Sequence, residues 1–435
     1  MLNSILEKNV QDYIDENSDE LFRILSELIQ FDSQNFRTDG REQKCAEYVE
    51  KLYHNLNLET EMYYPDNLPG FTEHPGYIPN RNTANRPNVS GIWPIIAETG
   101  EDLPVMLAAH TDTMPVGDLS KWKYDPFGGI IKDNRIYGLG AGDNKSGIAA
   151  SYFAVKALQA GGIQLKRPVV LTAYCDEESG GGNGTLAACL KYPCKTYVNL
   201  DGGNYEIWTI AIGGGGFRIE LRKKDSTDSM MDLYEVLSAL MVEIKEFRDR
   251  RRAELHKNPL YTGSDMERSA LRLGAFRCNS HNDATVSFVI YSDKTFEEIN
   301  DELQDIVDRL KPIFLKYGVE TSGFQQGTRY FYYGETDQSD GGVDIMTKAA
   351  SETSGKPVAE KGSCLTDLSL FLQYGSPHSF NFGIFRDFAL PGGAHQPDEY
   401  VDCTQLLQYT KALALFLMRY CGISNEKILL EGENE

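Results

Sequence analysis

The sequence lacks any apolar run of the length that a bilayer-spanning helix requires, which argues against an α-helical membrane protein. Net positive charge is also missing. Forty-three basic residues against 64 acidic ones leave a formal charge of −21, a balance that disfavours binding nucleic acid through its phosphates. The eight cysteines (Cys45, Cys175, Cys189, Cys194, Cys278, Cys364, Cys403, Cys421) are scattered with no CxxC pair, so a zinc ribbon is excluded. The start, Met1-Leu-Asn-Ser-Ile-Leu-Glu, has no basic, apolar leader, and a disulfide framework is not expected in a chain this large without one. The thiols therefore read as buried or inert, and the expected location is the cytoplasm. Internal repeats and low-complexity segments are absent.

What is present fits a folded protein with room for two or more domains in 435 residues, since 41% of them are hydrophobic and 25% charged. Apolar spacing predicts amphipathic helices over 4–30 and 42–57, followed by a loop rich in Pro, Gly, Asn and Tyr at 64–88. Short apolar runs at 105–109, 169–175, 197–200 and 379–385 then alternate with helical patterns, one of them over 144–159. That alternation predicts an α/β fold with a mostly parallel sheet flanked by helices. From 207 the character changes. Gly213-Gly214-Gly215-Gly216 precedes a strand at 217–222, a helix at 230–252, a strand at 284–291 and a helix at 295–316. This β-α-β-α order predicts a smaller α+β domain inserted at 207–322, with the larger domain built from 1–206 and 323–435. Helices are expected again at 341–354, 367–374 and 403–420.

The apolar runs end in, or lead toward, residues able to hold a metal. The first reaches His110-Thr111-Asp112, the second Asp176-Glu177-Glu178 and the third Asp201; the last leads through a loop to His395. Asp143 stands where the cap of the 144–159 helix belongs. Open α/β sheets bind ligands beyond the carboxyl ends of their strands, so these distant residues are expected to converge. Singly, each has a plain explanation: a surface pair, a solvated acidic turn, a helix cap, a loop histidine. Jointly, two imidazoles and three carboxylates supply a pair of zinc-type sites sharing one carboxylate.

The motifs Leu107-Ala-Ala-His110-Thr-Asp112, Gly138-Leu-Gly-Ala-Gly-Asp143-Asn-Lys-Ser-Gly147, Asp176-Glu177-Glu178-Ser-Gly-Gly, Asn199-Leu-Asp201 and Ala394-His395-Gln-Pro-Asp-Glu399 resemble those of the dinuclear-zinc metallopeptidases and deacylases. That group includes acetylornithine deacetylase, succinyl-diaminopimelate desuccinylase, aminoacylase and carboxypeptidase G. The resemblance spans nearly the whole chain, in order. It implies a ferredoxin-like lid and dimerisation domain for the insertion, and a homodimer formed through it. It implies two divalent ions, zinc first and cobalt or manganese as substitutes. Asp143 would bridge them, with His110 and Asp201 completing one site and Glu178 and His395 the other. Asp112 would orient the His110 ring, Glu177 would be the general base, and the peptide bond after Asp143 would be cis.

The implied reaction is hydrolysis of an amide bond in an N-acyl amino acid, of deacetylase or desuccinylase type. A dipeptidase or carboxypeptidase on the same metals is the alternative, and a catalytically silent metal- or ligand-binding homologue is a second. The resemblance fails at two places. The inserted-domain His of the family has no counterpart in Arg222-Lys-Lys-Asp-Ser-Thr-Asp228-Ser-Met230, and no Arg stands in Val286-Ser-Phe-Val-Ile-Tyr291 to grip a substrate carboxylate. Arg277 and His281, beside Asn279, and His256 are the substitutes within reach in sequence. Asp367, in Leu365-Thr-Asp-Leu, matches a Thr/Ser-Asp element that the family keeps near its site. His378, ahead of a buried strand, reads as structural, and His54 and His74 carry no signal.

Overall fold

Every residue of the strand Val105–His110 is buried, and its side chains alternate between two cores. Val105, Leu107 and Ala109 pack with the helical layer on one face, and Met106 and Ala108 pack with Tyr174, Ala188, Tyr197 and Phe371 on the other. A strand buried on both faces is the mark of a parallel sheet covered by helices. The computed structural model describes residues 2–79, 81–94, 103–223, 229–261, 270–278 and 282–424. It divides into two compact units: 1–209 with 335–360 and 370–435, and 210–334 with 361–369.

In the first unit the strands Val169–Tyr174, Val105–His110, Thr196–Asn199 and Phe380–Phe382 lie side by side in parallel. Asn88–Trp93 adds antiparallel to the first of these and Glu59–Tyr63 to it in turn, while on the other flank Ile207–Ala211 adds antiparallel to Phe380–Phe382. The two strands at 59–63 and 88–93 border the loop expected at 64–88 and carry too little alternation to be visible in the sequence. The helix Ser146–Ala160 runs through the main core, beside Cys403–Tyr420 and the N-terminal helices. Gly147 permits that depth: a Cβ there would stand 2.8 Å from the Leu200 Cβ and 3.0 Å from the Ala109 Cβ. The single helix expected at 4–30 is two, Leu2–Glu16 and Ser18–Ile29. The side-chain amide of Asn17 donates to the Tyr13 carbonyl, a local bond that competes with continuation of the helix. A separate three-stranded sheet pairs Arg135–Tyr137 with both Ile130–Lys132 and Tyr400–Asp402.

The second unit has strands that the β-α-β-α reading omits. Leu271–Cys278 pairs antiparallel with Asp283–Ser292, which pairs with Gly213–Lys223, which pairs with Val319–Glu320. With the helices Ser229–Leu255 and Phe296–Lys316, the order is β-α-β-β-α-β in an antiparallel sheet, the ferredoxin-like arrangement. Leu271–Cys278 is exposed along most of its length, so no buried-to-exposed alternation marks it, and Val319–Glu320 is only two residues long. The four glycines lie inside the first strand, not ahead of it. A Cβ on Gly214 would fall 1.9 Å from the Ile290 carbonyl oxygen and one on Gly215 2.6 Å from that of Arg329, so segments on either side approach closer than side chains would permit. Thr295 and Glu298 form a reciprocal capping box at the start of Phe296–Lys316.

Candidate active site

His110 is the last residue of its strand, Asp201 lies two residues past Thr196–Asn199, and Glu177 and Glu178 lie three and four residues past Val169–Tyr174. The parallel strands therefore deliver all four to one edge of the sheet. Asp143 sits in the irregular turn Ala141–Lys145, with φ −116° and ψ 86°, and the Asp143-Asn144 peptide bond is cis. His395 comes from the long loop after Phe380–Phe382.

The Asp143 carboxylate is the centre of the group. Its Oδ1 lies 3.0 Å from the Nε2 of His110 and its Oδ2 lies 3.1 Å from the Nε2 of His395. The same His395 nitrogen is 3.1 Å from the Oε1 of Glu178. Donor atoms of Asp143, Glu178 and His395 lie within 4.8 Å of one another, as do those of His110, Glu177 and Asp201. The five residues named as ligands from the sequence are thus brought together, with Glu177 among them. The His110 Nδ1–H donates to the Asp112 main-chain carbonyl at 2.9 Å, which leaves Nε2 as the basic nitrogen facing Asp143.

The Asp112 carboxylate faces elsewhere as well. It is 3.7 Å from the His110 Nδ1 and accepts the main-chain N–H groups of Glu177 (3.2 Å) and Glu178 (2.9 Å) and the Asn35 side-chain amide (2.8 Å). Asn35 also donates to the Glu178 carbonyl at 2.9 Å. On the far side of the same turn, Asp176 has a left-handed φ of 63°. Its buried carboxylate pairs with Arg81 and Arg86, and Arg86 pairs with Glu42 at 2.7 Å; Arg81 donates further to the Glu178 carbonyl at 3.2 Å. Glu399 accepts the N–H groups of Gly140 (3.0 Å), Gly142 (2.8 Å) and Asp143 (3.1 Å). With its amide oriented by its partners, Asn144 donates to the Leu200 carbonyl and accepts the Asp201 N–H, each at 3.1 Å. Asn35, Glu42, Arg81 and Arg86 were out of reach of sequence reasoning, because nothing in their spacing links them to the motifs. Glu399 sits inside a motif that signals it without stating its task.

One consequence can be measured. Neither Arg86 nor Glu42 has any exposed side-chain surface. Removing one partner of such a pair leaves an uncompensated buried charge, so Arg86→Met should lower unfolding free energy by about 3–5 kcal/mol in urea titrations. A loss below about 1 kcal/mol, the worth of an exposed pair, would remove the network from the account of this turn.

The electrostatics follow from burial. Desolvation alone would lower the His110 and His395 ring pKa values, yet the adjoining carboxylates, Asp143 for His110 and Glu178 for His395, hold both well above the usual value. Burial pushes the Asp143 carboxyl up, but its hydrogen bonds to the two rings outweigh it and hold the group well below the ordinary range. Burial and the Asp143 charge push Glu178 up, and they bring Glu399 to about 7. Four carboxylates, three of them buried, around two imidazoles are a surplus of negative charge, which is costly unless cations neutralise it. Nitrogen and oxygen donors in this proportion suit zinc-type ions. The donor set fits two divalent cations.

The other residues singled out in the sequence lie apart from this group or in the second unit. Arg277 is exposed on the strand Leu271–Cys278, and His256 follows the end of the helix Ser229–Leu255. Asp228, Asn279 and His281 lie outside the described residues. His378 shares a 2.7 Å contact with the Asp337 carbonyl, His74 packs its ring on Tyr374, and His54 is exposed on the helix Gln43–Asn55. Asp367 is fully buried in the second unit.

The profile of peptidase family M20/M25/M40 matches residues 106–419, more than half of the chain and the stretch that holds every one of the clustered donors. The chain belongs to this family. Among M20 relatives it is 38% identical over 104 residues to the succinyl-diaminopimelate desuccinylase of Dechloromonas aromatica, a match covering 24% of this chain and 27% of that protein. It is 24% identical over 460 residues to the N-formyl-4-amino-5-aminomethyl-2-methylpyrimidine deformylase of Bacillus subtilis, covering 96% of this chain and 99% of that one. The chain spans well under half the length of the first curated relatives it matches. In fold it is similar to the di-peptidase Dug1p of Saccharomyces cerevisiae, with a TM-score of 0.73 at 16% identity, over 95% of this chain and 98% of that one. Among the described residues, no helix is long and apolar enough to cross a membrane.

Proposed function

We propose that this chain is a metal-dependent amidohydrolase that cleaves the amide bond of an N-acyl amino acid, with two divalent ions, zinc foremost. The observation that carries the reading is the Asp143 carboxylate, which presents one oxygen to each imidazole between two sets of donors. His110 and Asp201 would hold one ion, Glu178 and His395 the other, and Asp143 both. Bound ions would polarise the scissile carbonyl and lower the pKa of water at the site. Glu177 sits beside the His110 and Asp201 donors. Its carboxylate takes a proton from the attacking water and delivers it to the leaving nitrogen as the C–N bond breaks. Asp112 keeps Glu177 and Glu178 in place through their N–H groups, and its carbonyl fixes the His110 tautomer.

Relatives named a desuccinylase and a deformylase favour removal of an acyl group, and the fold neighbour named a di-peptidase favours the second reading, cleavage of a dipeptide or a C-terminal residue. A panel of N-acyl amino acids and dipeptides, assayed with added zinc, cobalt or manganese, separates them: preference for a free substrate amine selects the peptidase. Wild type and Glu177→Ala equally inert on the whole panel, with metal bound, would instead select a silent homologue. His395→Ala should lose most turnover while its circular dichroism and unfolding stay close to wild type, because a loop ligand supports the ion more than the core. Unchanged turnover would remove His395 from the ligand set. The insertion is proposed as a lid and dimerisation domain, and light scattering reports the homodimer directly.

A further inference from the structure

We propose that Glu399 is the positioning residue for the bridging carboxylate: by accepting three main-chain N–H groups it sets where Asp143 stands between the two metal positions and ties its loop to the loop of His395. The inference rests on the metal-site reading above. Glu399 is 2% exposed, and its side chain is given over to Gly140, Gly142 and Asp143, at 2.8–3.1 Å. Its own carbonyl accepts the Gly138 N–H at 2.9 Å, and the next residue, Tyr400, pairs with Tyr137. Both ends of the 138–143 loop are therefore fastened to one residue, four positions beyond His395.

The loop has little freedom to rest elsewhere. A Cβ on Gly142 would lie 3.0 Å from the Phe385 Cα and 3.6 Å from the Glu399 Oε1, so the chain is held between the two. Asp143 and Asn144 have non-helical dihedrals, and helical hydrogen bonding does not place the carboxylate. Three donors converge on a group that, ionised, only accepts. A glutamine would turn an N–H₂ toward at least one of those N–H groups and lose that contact. Because Asp143 would serve both ions, displacing it weakens both.

The test is titration of the metal-free protein with cobalt(II), followed by visible absorption and calorimetry, alongside thermal unfolding of the metal-free form. Glu399→Gln should bind cobalt about 10- to 100-fold more weakly at both positions, with metal-free unfolding shifted by no more than about 4 °C. Glu399→Asp, which keeps the charge and the acceptor oxygens, should recover part of that affinity. Wild-type affinity in Glu399→Gln overturns the proposal, as does an affinity loss matched by collapse of the metal-free fold in both variants. If Glu399→Gln does not fold, Glu399→Asp decides: weaker cobalt with normal unfolding supports the assignment, and wild-type affinity overturns it. A wild-type protein that binds no cobalt would instead overturn the metal-site reading, and this inference with it.

Discussion

Glu177→Gln is expected to lower kcat by about 10²- to 10⁴-fold, the usual contribution of a positioned general base, while the protein still binds two ions. The second half of that outcome is the informative one, because a donor atom of Glu177 lies within 4.8 Å of those of His110 and Asp201. A carboxylate there is able to act as a base or as a ligand. Glutamine keeps the shape and one oxygen but has no basic site, so a pure base loses turnover and keeps metal. Metal analysis beside single-turnover kinetics checks both. One ion per chain instead of two would make Glu177 a ligand and leave the base to be found elsewhere.

Asp143→Ala is expected to do more damage, and of a different kind. Each of its oxygens faces a different imidazole, so a single truncation removes a donor from both candidate positions. Bound metal should fall at both together, and turnover should fall further than the about 10²- to 10⁴-fold expected for a proton-transfer group. The unliganded fold should lose stability as well, since His110 and His395 lose the buried carboxylate that pairs with both rings. Retention of one tightly held ion, measured by elemental analysis after dialysis, would show that the two positions do not share this carboxylate.

How much of this was legible in the sequence depended on whether a residue's role was written in local spacing. The runs that became Val105–His110 and Val169–Tyr174 were plain, because strands buried on both faces are continuously apolar. The helix Cys403–Tyr420 was placed to the residue. The strand Leu271–Cys278 was missed because it is exposed along most of its length, and 88–93 because it follows directly on a turn-rich loop. At the site, the donors could be named from motifs, whereas the groups that hold them could not. Asn35 reaches Asp112 across 77 residues, and Arg81 reaches Asp176 across 95. Such contacts are fixed by tertiary packing alone, and no periodicity announces them. Asp112 illustrates the gap within a motif. Its place two residues after His110 signals an orienting group, but only the structure divides the work between its carbonyl, on the ring, and its carboxylate, on the Glu177–Glu178 turn.

That turn is gripped through peptide nitrogen, an atom that nineteen of the twenty amino acids present with a hydrogen and proline does not. Asp112 is therefore indifferent to which side chain follows the strand, so long as the backbone can donate. A side-chain substitution at 177 or 178 thus leaves the main chain of the turn fastened, and its effects report the side chain alone. Proline at 177 or 178 is the exception: it would unfasten the grip even where its ring could be accommodated.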